Sequence, residues 1–260
     1  MATEPNTLLA DGEPPAAVVT RPNGGSRYFL TCDHAGRRIP QRLGTQGLEE
    51  PDLSRHIAWD IGAASVARQL SDALDAPLVA QTYSRLVIDC NRSPARHDSI
   101  ATISESTEVP GNKGISAAEA AGRRDEIFQP YHDAIAGGLA PREATERRPI
   151  LVCVHSFTPV YKGVQRPLHI GLLYNRDERM ARVLHDLIAA EDELVIGHNE
   201  PYAVSDESDY TVPVHGEQRG LVHIEVEIRQ DLVADAAGQR AWAERMTRWL
   251  KQAEPVLAAL

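Results

Sequence analysis

Two short apolar runs of this 260-residue chain each lead directly into a histidine. Residues 27–33 precede His34, and residues 150–154 precede His155. In open α/β sheets, ligands bind beyond the carboxyl ends of the strands, so imidazoles at two such ends would face a common site. Catalytic zinc is held by histidine and carboxylate ligands, with one position open to water. The two histidines are therefore candidate metal ligands; the alternative is that each imidazole only forms hydrogen bonds.

Asp60 is the best candidate for a carboxylate ligand beside the two imidazoles. It stands where the apolar periodicity predicts the start of the first helix after the His34 strand, so its side chain can point back to the same sheet edge. Aspartate is also a common helix N-cap, and the local sequence leaves that alternative open. Asp33 ranks lower, because a continuing strand would turn it to the face opposite His34.

A strand predicted over residues 221–228 carries two candidate catalytic carboxylates, Glu225 and Glu227, on one face. A glutamate beside a metal site can accept a proton from water and pass it to a leaving nitrogen. Glu227 is preferred as the general base, because it lies nearer the carboxyl end of the strand. The alternative is that this face of the strand is simply solvated.

The segment Asp89-Cys90-Asn91-Arg92 combines a guanidinium with an amide. The planar fork of arginine pairs bidentately with carboxylates, so Asn91 and Arg92 are candidate binders of a substrate carboxylate, with Arg85 as a further cation. The alternative for Arg92 is a surface salt bridge. His215, in a polar loop over residues 198–220, is a candidate for substrate binding or oxyanion stabilisation; the alternative is a solvated loop residue.

Composition narrows the range of partners. The formal net charge is −10, with no run of Lys or Arg, which argues against binding to nucleic acid or an anionic membrane. No apolar stretch reaches the roughly 20 residues that a membrane-spanning helix needs. The start of the chain lacks a basic segment followed by an apolar one, so we expect a cytoplasmic protein.

The elements that position these side chains are predicted to be alternating strands and helices. The pattern predicts a flexible arm over residues 1–25 and one domain over residues 26–260. Within that domain, strands alternating with helices predict an α/β fold with a mixed, mostly parallel central sheet and helices on both faces. The expected strands are 26–32, 78–82, 86–90, 149–154, 168–174, 194–196 and 221–228. The expected helices are 60–74, 116–135, 177–190 and 235–258.

Five segments occur in an order that points to a known family: CDHAGRRIP (32–40), WDIGA (59–63), SRLVIDCNR (84–92), VHSF (154–157) and EIRQDL (227–232). NEPY (199–202) and DYT (209–211) fit the same pattern. Together they resemble the N-formylglutamate amidohydrolase family, over roughly residues 28–232. That family is similar in fold to zinc carboxypeptidases and aspartoacylase, so the resemblance implies one α/β domain with one catalytic zinc.

The resemblance also implies roles for individual residues. In the relatives, an Asp-x-Asn-Arg segment binds the substrate carboxylate, a strand-end histidine completes the metal site and a later glutamate is the general base. Residues 89–92, His155 and Glu227 match these three elements. The first element, His-x-x-Glu, does not match, because Arg37 stands three residues after His34 and arginine cannot ligate zinc. The ligand role therefore passes to Asp60.

The expected activity is zinc-dependent hydrolysis of the amide of an N-formyl or N-acyl amino acid, with N-formyl-L-glutamate as the leading substrate. A side-chain carboxylate would need another cation, for which Arg85, Arg166 and Arg176 are candidates. The expected partner is thus a small acyl amino acid. Two alternatives remain: a zinc peptidase or amidase acting on peptide or cell-wall fragments, and a metal-free binding module of the same fold.

Overall fold

The computed structural model describes residues 7–191 and 193–259, which form an α/β fold. The strands, in chain order, are β1 (Ala17–Thr20), β2 (Tyr28–Cys32), β3 (Leu78–Gln81), β4 (Ile103–Ser104), β5 (Thr107–Glu108), β6 (Ile150–Phe157), β7 (Val160–Tyr161), β8 (Val164–Gln165), β9 (Ile170–Leu173), β10 (Ile196–His198) and β11 (Val222–Arg229). The helices are α1 (Glu50–Leu53), α2 (Ala63–Leu74), α3 (Ala117–Arg123), α4 (Gln129–Glu143), α5 (Arg179–Ala189) and α6 (Ala236–Ala258).

The central sheet has seven strands among the described residues, in the order β1-β3-β2-β6-β11-β9-β10. The pairs β3–β2, β2–β6, β6–β11 and β9–β10 are parallel. The pairs β1–β3 and β11–β9 are antiparallel. The prediction of a mixed, mostly parallel sheet is therefore confirmed. Strands β2, β6 and β11 lie side by side at its centre, so their carboxyl ends meet at one edge.

Helices cover both faces of this sheet, as predicted. On one face, α2, α5 and α6 bury their apolar sides against the strands in the larger core, which includes Leu30, Val152 and Trp249. On the other face, α4 packs with long connecting segments over a second core that includes Phe29 and Leu151. The central strands are buried on both faces, which is why they consist of nearly continuous apolar residues.

The arm predicted over residues 1–25 is wrong for the part that the structure describes. Residues 17–20 form β1, which pairs with β3 along the edge of the sheet. Glu126 accepts hydrogen bonds from the backbone N–H groups of Leu8 and Leu9 at 2.6 and 2.9 Å and so holds the preceding segment. Residues 1–6 lie outside the described residues.

The strand predicted over residues 86–90 is also wrong, although its apolar residues are buried. Its backbone is an irregular turn, and side chains from distant segments supply the donors that a neighbouring strand would otherwise provide. Nδ2 of Asn112 donates to the carbonyl of Leu86 at 2.8 Å, and Nη1 of Arg123 donates to that of Val87 at 3.0 Å. This turn carries Asp89, Asn91 and Arg92 into the sheet edge.

Side-chain caps mark the start of two helices. Ser116 and Glu119 form a capping box at the start of α3, and Asp235 caps α6 by accepting a bond from Gly238 N–H at 2.8 Å. A π-helical turn at Arg124–Phe128 joins α3 to α4. Within the described ranges, no helix combines the length and the apolar character needed to cross a membrane.

Candidate metal centre and active site

His34, Asp60 and His155 converge at the carboxyl edge of the sheet. His34 follows the end of β2 by two residues, and His155 lies in the neighbouring parallel strand β6. The ring centroids of the two histidines are 5.0 Å apart. Each of the three residues offers one ligand atom, and these atoms lie within 4.8 Å of one another. The three candidate ligands are therefore close enough to share one ion.

Asp60 faces this cluster and does not cap the helix. Its Oδ2 lies 2.8 Å from Nδ1 of His155 and accepts a bond from the backbone N–H of Ser156 at 3.3 Å. Helix α2 begins at Ala63, and Gly62 occupies the N-cap position with φ of +82°. A Cβ at Gly62 would lie 2.2 Å from the carbonyl oxygen of Val233, so this tight turn requires glycine. The turn leaves the Asp60 carboxylate free to point at the histidines.

A second layer of carboxylates holds the far side of each imidazole. Nε2 of His34 lies 2.7 Å from Oδ1 of Asp89, and Nε2 of His155 lies 3.0 Å from Oδ2 of Asp33. These contacts fix the ring orientations and leave each Nδ1 directed at Asp60. Metal-binding histidines generally donate their other ring N–H to a carboxylate or carbonyl in this way. Both rings thus have the geometry of metal ligands.

Asp33 therefore belongs to the site, although the sequence makes it a weaker candidate ligand than Asp60. The chain leaves β2 after Cys32, so the strict alternation of a strand no longer applies to the next two side chains. The hydroxyls of Tyr131 and Thr211 donate to Oδ1 of Asp33 at 2.6 and 2.9 Å. Burial alone would raise the pKa of Asp33, but hydrogen bonds and the charge of His155 lower it to about 2. Asp33 is therefore a fixed anion behind His155.

The electrostatics of the cluster favour a bound cation. Burial alone would lower the pKa of His155. The negative charge of Glu225 and the hydrogen bonds of His155 to Asp33 and Asp60 nevertheless raise this pKa well above its ordinary value. Nδ1 of His34 is buried and makes no hydrogen bond to the described residues. An orphaned imidazole nitrogen among buried carboxylates is the donor set that a divalent ion such as zinc satisfies. The residues present fit a metal.

The two glutamates of β11 face the same site. Glu227 is the register partner of His155 across the parallel β6–β11 pair. Burial raises the pKa of both Glu225 and Glu227, to about 8. Nδ2 of Asn91 donates to Oε2 of Glu225 at 3.3 Å, whereas Oε2 of Glu227 is buried without a hydrogen-bond partner among the described residues. Glu227 is thus the less committed of the two carboxylates, and since both side chains are buried the solvated-face alternative is wrong.

Arg85, Asn91 and Arg92 all line the same cavity. Nη2 of Arg85 donates to Oδ2 of Asp89 at 2.6 Å, and Nε of Arg92 lies 3.4 Å from the same oxygen. Arg85 also approaches Asp60, and Arg92 approaches Asp98, each at 3.8 Å. Each guanidinium has five N–H donors, so donors remain on both for a bound carboxylate. Asn91 is more committed: besides Glu225, it contacts Asp209, and its carbonyl accepts two backbone N–H groups.

The cavity is a small chamber of about 480 Å³, within the range of small-molecule sites. The β4–β5 hairpin covers one side through Ser104 and Glu105, and the β7–β8 hairpin contributes Tyr161. The backbone N–H of Lys162 donates to Oε1 of Glu105 at 3.4 Å, which joins the two hairpins at the rim. Acidic groups, histidines and arginines of the centre form its floor.

Two predicted binding residues lie elsewhere. His215 is buried in a π-helical turn and its Nε2 contacts Nδ1 of His132 at 3.0 Å, so it does not line the cavity and its predicted substrate role is wrong. The predicted polar loop folds inward there because Val212 and its neighbours enter the second core. Arg176 is half exposed and pairs with Asp206 and Glu217, away from the cavity.

Known proteins resemble this chain in both sequence and structure. Residues 26–234 match the family model described as N-formylglutamate amidohydrolase. The gene product Atu2144 from Agrobacterium tumefaciens is 37% identical, with a TM-score of 0.92 and coverage of 96% of this chain and 99% of that chain. The N-formylglutamate amidohydrolase from Ralstonia eutropha JMP134 shares the fold at 16% identity, with a TM-score of 0.64 and coverage of 94% and 99%. No curated protein matches the sequence.

The family match extends from just before β2 to just after β11, and it includes every residue of the cluster at the sheet edge. The match covers far more than half of the chain. This protein therefore belongs to the N-formylglutamate amidohydrolase family of hydrolases.

Proposed function

We propose that this protein is a zinc-dependent hydrolase of N-formyl or N-acyl amino acids, with N-formyl-L-glutamate as its leading substrate. Water adds across the amide C–N bond, which breaks to give formate and glutamate. The observation that carries the proposal is the convergence of His34, Asp60 and His155 beside Glu227 at the end of three neighbouring strands. Membership of the family supports the substrate class.

The three converging residues would hold the metal through Nδ1 of each histidine and a carboxylate oxygen of Asp60. A zinc ion in such a site supplies Lewis-acid chemistry, polarising a carbonyl and lowering the pKa of water to about 7. Asp33 and Asp89 keep the two imidazoles in the orientation that this requires. The protein thus fixes the donor set before any substrate arrives.

Glu227 is assigned as the general base. Its uncommitted carboxylate oxygen takes a proton from the attacking water and then delivers it to the nitrogen of the departing amine. A raised pKa suits this double role, because the group must both accept and release a proton near neutral pH. Asn91 holds Glu225, so that residue is assigned to positioning rather than to proton transfer.

Arg92 and Arg85 are assigned to the α-carboxylate of the substrate. Both line the cavity, both contact Asp89, and the planar fork of each keeps N–H donors for a carboxylate. Asn91 contributes by holding Asp209 and the segment around Tyr210 against the cavity. The two hairpins at the rim favour a small substrate over a peptide, because a peptidase needs an open groove along which the chain can extend.

The decisive experiment measures release of formate and of a primary amine from N-formyl-L-glutamate by the zinc-loaded protein. We expect turnover in the wild type and its loss in His155→Ala and Glu227→Gln variants that retain their circular dichroism spectra. Normal turnover in both variants would reject the assignment. A purified protein that takes up no divalent metal would instead support the metal-free binding module.

A further inference from the structure

Arg166 lies against the aromatic wall of the cavity. Its guanidinium carbon is 4.7 Å from the ring centroid of Tyr161, 4.8 Å from that of Tyr202 and 5.9 Å from that of Phe157. Its Nη1 donates to the hydroxyl of Tyr202 at 2.8 Å. All three aromatic residues line the cavity. The cation is therefore held in place at the rim by ring faces and one neutral hydrogen bond.

Among the described residues, Arg166 has no carboxylate partner, in contrast to Arg85 and Arg92, which line the cavity. Arg85 pairs with Asp89, and Arg92 faces both Asp89 and Asp98. Arg166 forms no ion pair with residues 7–191 or 193–259. Its side chain donates one hydrogen bond to them, the bond to Tyr202. A guanidinium has five N–H donors in a planar fork that fits a carboxylate. Most of these donors remain for a ligand.

The charge of Arg166 also reaches the proposed general base. Burial raises the pKa of Glu227, and the positive charges of Arg85 and Arg166 oppose that rise. Arg166 shares no hydrogen-bond or ion-pair partner with Arg85 or Arg92. The cavity thus has cations of two kinds around it: Arg85 and Arg92 in its lining beside Asp89, and Arg166 behind the aromatic residues of its wall.

We propose that Arg166 binds a second carboxylate of the substrate, the one on the side chain, and so selects acidic acyl amino acids over neutral ones. This inference rests on the proposed function, in which Arg85 and Arg92 take the α-carboxylate. The stacked rings hold the guanidinium in one orientation before binding, so little side-chain entropy is lost when the carboxylate arrives. A neutral side chain leaves the same cation unpaired, which penalises its binding.

The test compares N-formyl-L-glutamate with its neutral isostere N-formyl-L-glutamine in wild type and Arg166→Met. We expect the wild type to prefer the glutamate compound in kcat/KM by about 10- to 100-fold, the range of a charge-assisted hydrogen bond. Arg166→Met should bring that ratio close to one, chiefly by lowering kcat/KM for the glutamate compound. Arg166→Lys should restore part of the preference, since it keeps the charge.

Arg176→Met is the matched control, because Arg176 pairs with Asp206 and Glu217 outside the cavity. It should leave the ratio as in the wild type. An unchanged ratio in Arg166→Met, or a wild type without any preference, overturns the inference while hydrolysis itself still supports the proposed function. If neither compound is hydrolysed, the proposed function fails. Calorimetric binding of L-glutamate and L-glutamine to wild type and Arg166→Met then decides the inference: a preference for L-glutamate that is lost in Arg166→Met supports it, and equal preferences in the two proteins overturn it.

Discussion

Asp33 and His155, which are 122 residues apart in sequence, meet in the interior with 3.0 Å between Oδ2 and Nε2. The contact joins the end of β2 to β6 and sets which nitrogen of His155 faces Asp60. Because Asp33 touches the ring on the side away from the proposed ion, it would act on a metal by orienting His155 and not as a ligand. This separates a positioning residue from a ligand.

Replacement of Asp33 by Asn should weaken metal binding without abolishing it. The substitution keeps the shape of the side chain and removes the charge that fixes the imidazole, a change that typically costs about 10- to 100-fold in metal affinity. A competition titration of the purified protein against a chromophoric chelator measures the affinity. At saturating zinc the variant should still bind one equivalent. An affinity equal to that of the wild type would contradict the role given to Asp33.

The three converging ligands predict how many metal ions the protein binds. We expect wild type to bind one divalent ion, and His34→Ala, Asp60→Asn and His155→Ala each to lose it, because two remaining ligands hold zinc poorly. Elemental analysis after gel filtration gives the metal content directly. His97→Ala is the matched control, since His97 is exposed and lies outside the cluster. Full metal content in all three variants would show that the ion binds elsewhere.

Much of this centre could be predicted from the sequence, because strand ends are a local signal. His34 and His155 each follow a continuous apolar run, and buried central strands must be apolar on both faces. The sequence identifies Asp60 as a candidate ligand but does not decide its role, because an aspartate that caps a helix and one that binds a metal look alike in sequence. Gly62, whose positive φ makes the turn, is what decides between them.

The incorrect predictions have a common physical cause: the structure of each segment depends on contacts with residues far away in the chain. The apolar residues 86–90 are buried as expected, but Asn112 and Arg123 satisfy their backbone from 26 and 36 residues away, so no strand is needed. His215 was expected to face solvent or substrate. Its partner His132 lies 83 residues earlier, and no local pattern reveals that pairing.

The two glutamates of β11 should differ in their effect on catalysis. Glu227→Gln removes the proposed proton acceptor and should lower kcat by about 10²- to 10⁴-fold, with little change in KM or metal content. Glu225→Gln is the matched control on the same face of the same strand, and it should cost clearly less because Asn91 already engages that carboxylate. Steady-state kinetics on N-formyl-L-glutamate measure both. A larger loss of kcat in Glu225→Gln would exchange their roles.

The buried pair of His132 and His215 should make the fold sensitive to mild acid. Nε2 of His132 donates to the carbonyl of Cys90 at 2.8 Å, so its Nδ1 accepts the N–H of His215 and both rings are neutral. Burial lowers the pKa of His132 to about 4, and burial with the charge of His132 lowers that of His215 to about 3. Their contribution is therefore fully present above pH 6.5, the value of an unfolded histidine, and is lost as the pH falls toward 4.

A His215→Leu variant tests this contribution, because it removes one titrating imidazole of the pair. It should be less stable than wild type at pH 7, since Nδ1 of His132 loses its donor. Between pH 7 and pH 5, however, wild type pays for keeping His215 neutral and the variant does not. The stability advantage of wild type should therefore shrink by about 2 kcal/mol over that range. Urea unfolding at the two pH values measures the change, and an advantage that stays constant or grows on acidification would show that His215 is not held neutral in the fold.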